Sequence, residues 1–133
     1  MEKAPEKLTV RPVAAGELPG ALVALRYVER YAVGGESLAE LVAGCDLYAV
    51  MHDGNPVGFF SLLVEGQAAW VPAAVGRCAG IDLTASVIPA IERIAAGEGA
   101  KSLGMATVRP GLAAKLRAMG YAGERENMVR ALQ

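Results

Sequence analysis

Leu8-Thr-Val-Arg-Pro-Val13 alternates along the chain, the two-residue period of a strand, and Gly16 and Pro19 stop it. Leu18, Leu22, Leu25 and Ala32 then recur at helical spacing and predict an amphipathic helix over 19–32, with Pro19 in its opening turn and Gly34-Gly35 as its break. Ser37-Leu-Ala-Glu40 has the spacing of a capping box and opens a second, short helix that Gly44 ends. Leu47 to Met51 and Val57 to Val64 are apolar runs on either side of His52-Asp53-Gly54-Asn55, and Asp-Gly between two such runs predicts a hairpin. A turn at Glu65-Gly66 leads into a third antiparallel strand, Gln67 to Val75, in which Pro72 has no N–H to give a ladder.

Farther on, Val87, Ile88, Ile91, Ile94 and Ala95 form the apolar stripe of a long helix ending at Gly97 or Gly99. Leu103 to Val108 reads as a short buried strand, Pro110 to Met119 as a helix stopped at Gly120, and Asn127 to Leu132 as a last strand. Adjacent strand residues point to opposite faces, so Phe59 and Phe60 call for a sheet covered on both sides, by helices or by a partner.

Composition narrows the class. The 133 residues fit one domain, 1–133, and a chain that is 53% hydrophobic and 20% charged is expected to fold around a core. Much of the apolar content is alanine, and the excess points to a homodimer whose interface uses the last strand or an exposed aromatic of Phe59 and Phe60. With a net charge of −1 and scattered Lys and Arg, neither a nucleic-acid footprint nor a polybasic membrane patch is expected. The charged MEKAPEKLT start has no signal-peptide core, and no stretch approaches the ~20 apolar residues of a membrane span. Cys45, Cys78 and a single histidine make no metal-ligand pattern, and the expectation is a reduced, cytoplasmic protein.

The order of strand, two helices, three-stranded meander, helix, strand, helix, strand resembles the GNAT N-acetyltransferase family. Three segments carry the likeness: Leu8 to Leu18, Arg77-Cys-Ala-Gly80-Ile-Asp82 on the family's R/Q-x-x-G-x-G/A loop, and Lys115-Leu-Arg-Ala-Met-Gly-Tyr121 on its closing motif. The resemblance implies an α+β fold, a mostly antiparallel central sheet with helices on both faces. It also implies acetyl-CoA as co-substrate, an amine as acceptor, and a fourth and fifth strand that splay to admit the pantetheine arm. Arg77, Cys78, Ala79, Gly80, Ile81 and Asp82 would then meet the pyrophosphate, and an amide near Val71 or Ala73 would polarise the acyl carbonyl.

Simple physics supports the loop. First-turn amides of a helix lack intrahelical partners and sit at the positive end of its dipole, and a glycine lets the backbone approach closely. Against this, Asp82 is a good N-cap whose carboxylate competes for those amides. Pro89 falls in the interior of a helix that starts at Asp82, or near the first turn of one that starts at Thr84 or Ser86. The family's general-acid tyrosine falls on Leu116, and its asparagine after the fifth strand falls on Arg109. The candidates left for proton transfer are Glu65 and Tyr48. His52 is expected in a solvated hairpin tip. Three readings follow: an acyl-CoA-dependent N-acetyltransferase for an unidentified amine, a catalytically degenerate binding or interaction module of the same fold, or an unrelated α+β domain with a chance match at the loop.

Overall fold

The computed structural model describes residues 8–27, 36–78, 80–106, 110–123 and 127–132. Its elements are β1 (Leu8–Pro12), a 3-10 turn (Ala15–Glu17), α1 (Leu18–Leu25), α2 (Leu38–Val42), β2 (Asp46–His52) and β3 (Asn55–Glu65). There follow β4 (Ala68–Val71), β5 (Ala74–Gly76), α3 (Leu83–Gly97), β6 (Ser102–Ala106), α4 (Pro110–Ala118) and β7 (Asn127–Ala131). The strands make one sheet in the order β1-β2-β3-β4-β6-β7, with β5 also on β3. Every pairing is antiparallel except β4 with β6, whose parallel course follows from the α3 crossover between them.

Local chemistry explains the joints. Asp53 and Gly54 both take positive φ, 51° and 79°, as a tight two-residue hairpin requires. Ser37 accepts the Glu40 N–H at its hydroxyl, and the Glu40 carboxylate accepts the Ser37 N–H at 3.1 Å, so the capping box starts α2 as its spacing predicts. The helix expected over 19–32 is α1 up to Leu25, and residues 28–35 lie outside the described part of the chain. Its third strand is not one strand. The ladder breaks at Pro72-Ala73, which divides it into β4 and β5.

Helices cover both faces, as expected for the two phenylalanines. Phe60 joins Val50, Leu62, Val71, Ile91, Leu103 and Leu116 in the core under α3 and α4. Phe59 packs on the opposite face with Leu25, Leu38 and Leu41 of α1 and α2. Neither ring is exposed, so neither serves as the open aromatic of a dimer interface. The last strand differs from expectation too. β7 stands at an end of the sheet, but at Val129 its outer edge exchanges two 2.9 Å backbone hydrogen bonds with Ala122, which removes the pairing site there. Tyr121 and Arg130 both donate to the Glu92 carboxylate, at 2.9 and 3.0 Å, and tie α3 to β7.

The first strand is locked to the turn after it. Both guanidinium NH2 groups of Arg11 donate to the Glu17 carboxylate at 2.5 Å, and the Ala14 N–H donates to it at 3.0 Å. The Arg11 hydrogen bond first, then the Ala14 amide, holds the Glu17 carboxyl at about 2, below its ordinary 4.5. Because the folded value is the lower one, ionised Glu17 favours folding above pH 4.5, and that contribution is lost as pH falls toward 2. Glu17→Gln is therefore expected to lower the urea midpoint at pH 7, with the gap to the wild type closing between pH 4.5 and 2. Urea titrations across that range, at low salt, check it.

Candidate active site

The site grows from a mismatch in the sheet. β3 pairs Leu63, Val64 and Glu65 with Trp70, Ala69 and Ala68 of β4, and pairs Phe60, Phe59 and Gly58 with Ala74, Val75 and Gly76 of β5. Between these blocks β3 contributes Ser61 and Leu62, while the facing chain contributes Val71, Pro72 and Ala73. Three residues against two make a β-bulge. Pro72 suits that position because the irregular ladder asks no N–H of it.

The bulge decides where the backbone of β5 points. Ser61 N–H to Ala73 O at 2.8 Å and Arg77 N–H to Val57 O at 2.9 Å mark the hydrogen-bonded pairs of this ladder. The intervening pairs, Phe60 with Ala74 and Gly58 with Gly76, are therefore non-bonded, and Ala74 and Gly76 turn their N–H and C=O groups away from β3. On that side the sheet has opened. The β4–β6 pairing ends at Val71 with Met105, and among the described residues β5 has β3 as its one partner strand.

A cleft of about 420 Å³ fills the gap. One wall is Phe59, Phe60, Val71, Ala74, Val75 and Gly76, and the other is built from Leu83, Thr84, Ile88 and Ile91 of α3, Met105 of β6, and Gly111, Leu112 and Lys115 of α4. Apart from Phe59 and Val75, the lining residues stand on the α3 and α4 side of the sheet, so the cleft opens on that side. Its lining is apolar apart from backbone, Thr84 and Lys115.

At the end of β5 lies the loop to α3. Gly80 has φ +77°, a conformation L side chains rarely take, and open space where a Cβ would stand. Gly76 has no such room: a Cβ there would lie 2.9 Å from Leu83 Cδ1, so the bare glycine seats the first turn of α3 on the strand. α3 begins at Leu83 with Asp82 as its cap, and the Asp82 Oδ1 accepts the Ala85 N–H at 3.3 Å. Lys115 Nζ, from α4, donates to the same oxygen at 3.2 Å. The Ala85 amide first and the Lys115 ammonium second hold the Asp82 carboxyl below its ordinary value. Pro89 is in the interior of this helix and offers no N–H to the Ala85 carbonyl.

The residues singled out in the sequence divide accordingly. Val71 lines the cleft, and Arg77, Gly80, Ile81 and Asp82 stand in the loop at its end. Ala79 and Arg109 lie outside the described residues. Ala73 is buried on the face of α1 and α2, and its N–H is taken by Ser61 Oγ at 3.1 Å, so it is not a free amide of the site. Cys78 Sγ is 3.7 Å from His52 Nδ1, and the histidine is largely covered rather than a solvated tip. Glu65 is exposed at the turn before Ala68, roughly 13 Å along the strand from Pro72 at about 3.3 Å per residue. Tyr48 is buried with its ring stacked on Phe60, centroids 5.1 Å apart, and burial pushes its hydroxyl above the usual tyrosine range. Phe60 forms the cleft wall and Tyr48 lies behind it. The tyrosine position of the resembled family holds Leu116, fully buried in the core. Ser61 and Lys115 had not been given roles by the sequence; the former carried a faint signal as a hydroxyl inside the apolar run Val57 to Val64, the latter none.

No protein-family profile matches the chain, and no curated protein matches it. Solved structures do. Spermidine N-acetyltransferase from Vibrio cholerae, in complex with CoA and spermine, superposes with a TM-score of 0.74 at 14% identity over 93% of this chain and 95% of that one. A GNAT family acetyltransferase from Brucella melitensis in complex with acetyl-CoA gives 0.67 at 13% identity, covering 96% of this chain and 89% of that one. N-acetylglutamate synthase from Neisseria gonorrhoeae, complexed with CoA and N-acetyl-glutamate, gives 0.69 at 18% identity over 99% of this chain but 36% of its own. The chain thus has the GNAT fold, a mostly antiparallel open sheet with helices on both faces, as its element order implied.

If the Asp82 cap occupies amides that a phosphate needs, Asp82→Gly binds CoA more tightly than the wild type. It also loses some stability, because glycine keeps no side-chain acceptor for the Ala85 N–H. Calorimetric titration with CoA and a denaturant curve check both; equal affinities would show that the carboxylate is no competitor.

Proposed function

We propose that this protein is an acyl-CoA-dependent N-acyltransferase that moves an acetyl group from acetyl-CoA to an amine. The observation that carries this is the backbone of Ala74 and Gly76, turned from β3 along the cleft and unpaired among the described residues, which leads to the glycine loop at the start of α3. The fit to the co-substrate is chemical. An amide-bearing pantetheine chain can pair with a strand edge, the apolar walls suit its methylenes and methyls, Lys115 lines the cleft and Arg77 opens the loop at the end of β5. The neighbours of the same fold that hold CoA or acetyl-CoA support it further.

Catalysis in such a site rests on placement. The Ala74 N–H, rather than the Ala73 N–H held by Ser61, is the strand amide turned toward the cleft and is assigned to polarise the acyl carbonyl. The remaining gain comes from holding amine and thioester together. With Glu65 remote and Tyr48 behind Phe60, the amine loses its proton to solvent at the open end of the cleft. The acceptor is an amine; the spermidine enzyme of the same fold is in complex with an amine, spermine, beside CoA.

One observation favours a second reading, a module of the same fold that binds CoA weakly and acts through other proteins. It is the closed contact of Asp82 with the Ala85 N–H and Lys115 at the entrance. In the first reading CoA raises the melting temperature in a dose-dependent way, free CoA thiol is released when acetyl-CoA is mixed with a panel of primary amines, and Gly80→Glu loses both effects. The open space at Gly80 lets Gly80→Glu fold, at a cost of roughly 1–2 kcal/mol for its left-handed backbone. A melting temperature unmoved by millimolar CoA rules out the first reading. A shift without thiol release supports the second.

The protein is further proposed to be a one-domain cytoplasmic homodimer, in keeping with two free cysteines and an apolar residue, Val129, 40% exposed on β7. Since Ala122 occupies the backbone there, side chains rather than strand pairing would make the contact. Light scattering is expected to give twice the chain mass, reduced to one by Val129→Asp. A wild-type monomer refutes the dimer, and a dimer that survives the substitution lies elsewhere.

A further inference from the structure

Apart from the tyrosines, Ser61 is the one polar residue among the buried side chains of the described chain, with 0% exposure. Its Oγ accepts the Ala73 N–H at 3.1 Å, and the carbonyls of Leu41 and Ala73 lie 3.4 and 3.5 Å away as acceptors for its proton. The first of these carbonyls belongs to α2, a helix of five residues whose C-terminal carbonyls lack intrahelical donors. A single hydroxyl therefore touches both the bulge that opens the cleft and the helix that covers the face opposite α3 and α4.

The hydroxyl is needed because of the register. In a regular ladder the Ala73 N–H would meet the Ser61 carbonyl, completing the pair begun by Ser61 N–H to Ala73 O. With Val71, Pro72 and Ala73 facing Ser61 and Leu62, the chain is one residue too long for that, and the side chain supplies the acceptor instead. Pro72 gives no N–H, so the Ala73 amide is the bulge's first donor after Val71, and it is buried with Ala73 itself 3% exposed. Without an acceptor that amide must stay orphaned or pull the strand into another register. Another register by one residue turns every backbone group of β5 around, and Ala74 and Gly76 would then face β3.

We propose that Ser61 is a positioning residue for the acyl-CoA strand: by capturing the Ala73 amide and docking α2, it holds the bulge and keeps Ala74 and Gly76 turned into the cleft. This rests on the cleft being an acyl-CoA site. Ser61 itself touches no substrate, since it lies beneath the strand on the side of α2.

The test joins amide hydrogen exchange, read residue by residue, with CoA titration on the full chain. In the wild type without ligand, the Ala73 amide is expected to exchange far more slowly than those of Ala74 and Gly76, and CoA to protect the latter two. Ser61→Ala is expected to speed exchange at Ala73 and to weaken CoA binding roughly tenfold, the effect of losing about one charge-free hydrogen bond's worth of order at the strand. Ser61→Thr, which keeps the hydroxyl, is expected to bind CoA more tightly than Ser61→Ala. Wild-type Ala73 exchanging as fast as Ala74 and Gly76 would overturn the proposal, and this measurement stands even if Ser61→Ala does not fold. So would wild-type CoA affinity in a folded Ser61→Ala protein. A wild type that ignores CoA would sink the acyl-CoA reading on which the proposal rests, while the unliganded exchange pattern would still report whether Ser61 sets the strand.

Discussion

A sheet cannot be hydrogen-bonded to two neighbours and also present its backbone to a ligand. This chain meets that constraint with one extra residue. The bulge at Val71, Pro72 and Ala73 lets β4 pair fully between β3 and β6, and then lets the same run of chain leave β6 as β5 while staying on β3. What surrounds the break depends on it. Leu83 can seat α3 on Gly76 because β5 ends there, and Met105 ends the β6 pairing where α4 turns over the gap. Gly58 and Gly76, opposite one another in a non-bonded pair, let β3 and β5 come closer than side chains would permit.

That arrangement separates two tasks between the faces. The core under α3 and α4 is deep and apolar, and it supplies the rigid wall of the cleft through Phe60, Val71, Ile88 and Ile91. The other face carries a smaller cluster under two short helices, and Ser61, Phe59 and Val75 stand on that side of the sheet. Rigid placement on one side with a lighter cover on the other suits a site whose chemistry is delivered by position. It also explains why no ionisable side chain other than Lys115 lines the cleft among the described residues: burying more would require partners that an apolar wall does not hold.

Most of the fold was legible because its signals are local. Ser37 and Glu40 are three residues apart, Asp53-Gly54 sits between two apolar runs, and the stripe from Val87 to Ala95 repeats at helical spacing. The turn at Gly80 and the cap at Asp82 were legible for the same reason. The break at Pro72 was visible as a proline, yet its consequence was not, since the register of two ladders against one strand is a long-range property. Ala73 looked like a free amide for that reason, and only its distance to Ser61 shows otherwise. Tyr48 on the second strand and Glu65 on the preceding turn were the substitutes the sequence offered for a base, but strand membership does not give reach in a sheet: one ring stacks behind Phe60 and the other side chain sits at the far turn.

The entrance is where affinity and stability pull in opposite directions. Asp82 serves the helix by taking the Ala85 N–H, and Lys115 serves the fold by joining α4 to that cap. Both groups are about half exposed, 48% and 53% of the side chain, so water screens the ion pair and its net worth to the fold is small. In the acyl-CoA reading a pyrophosphate, with two negative charges to a carboxylate's one, would reach the same cation and the same helix end and displace the aspartate at little cost to the structure. An exposed, weak contact is what a reversible entrance calls for, whereas a buried one would have closed the cleft for good. The same reasoning makes the loop sensitive to ionic strength, which weakens the Asp82–Lys115 pair and the approach of an anionic ligand together, while the bulge and the Ser61 contact beneath it are left untouched.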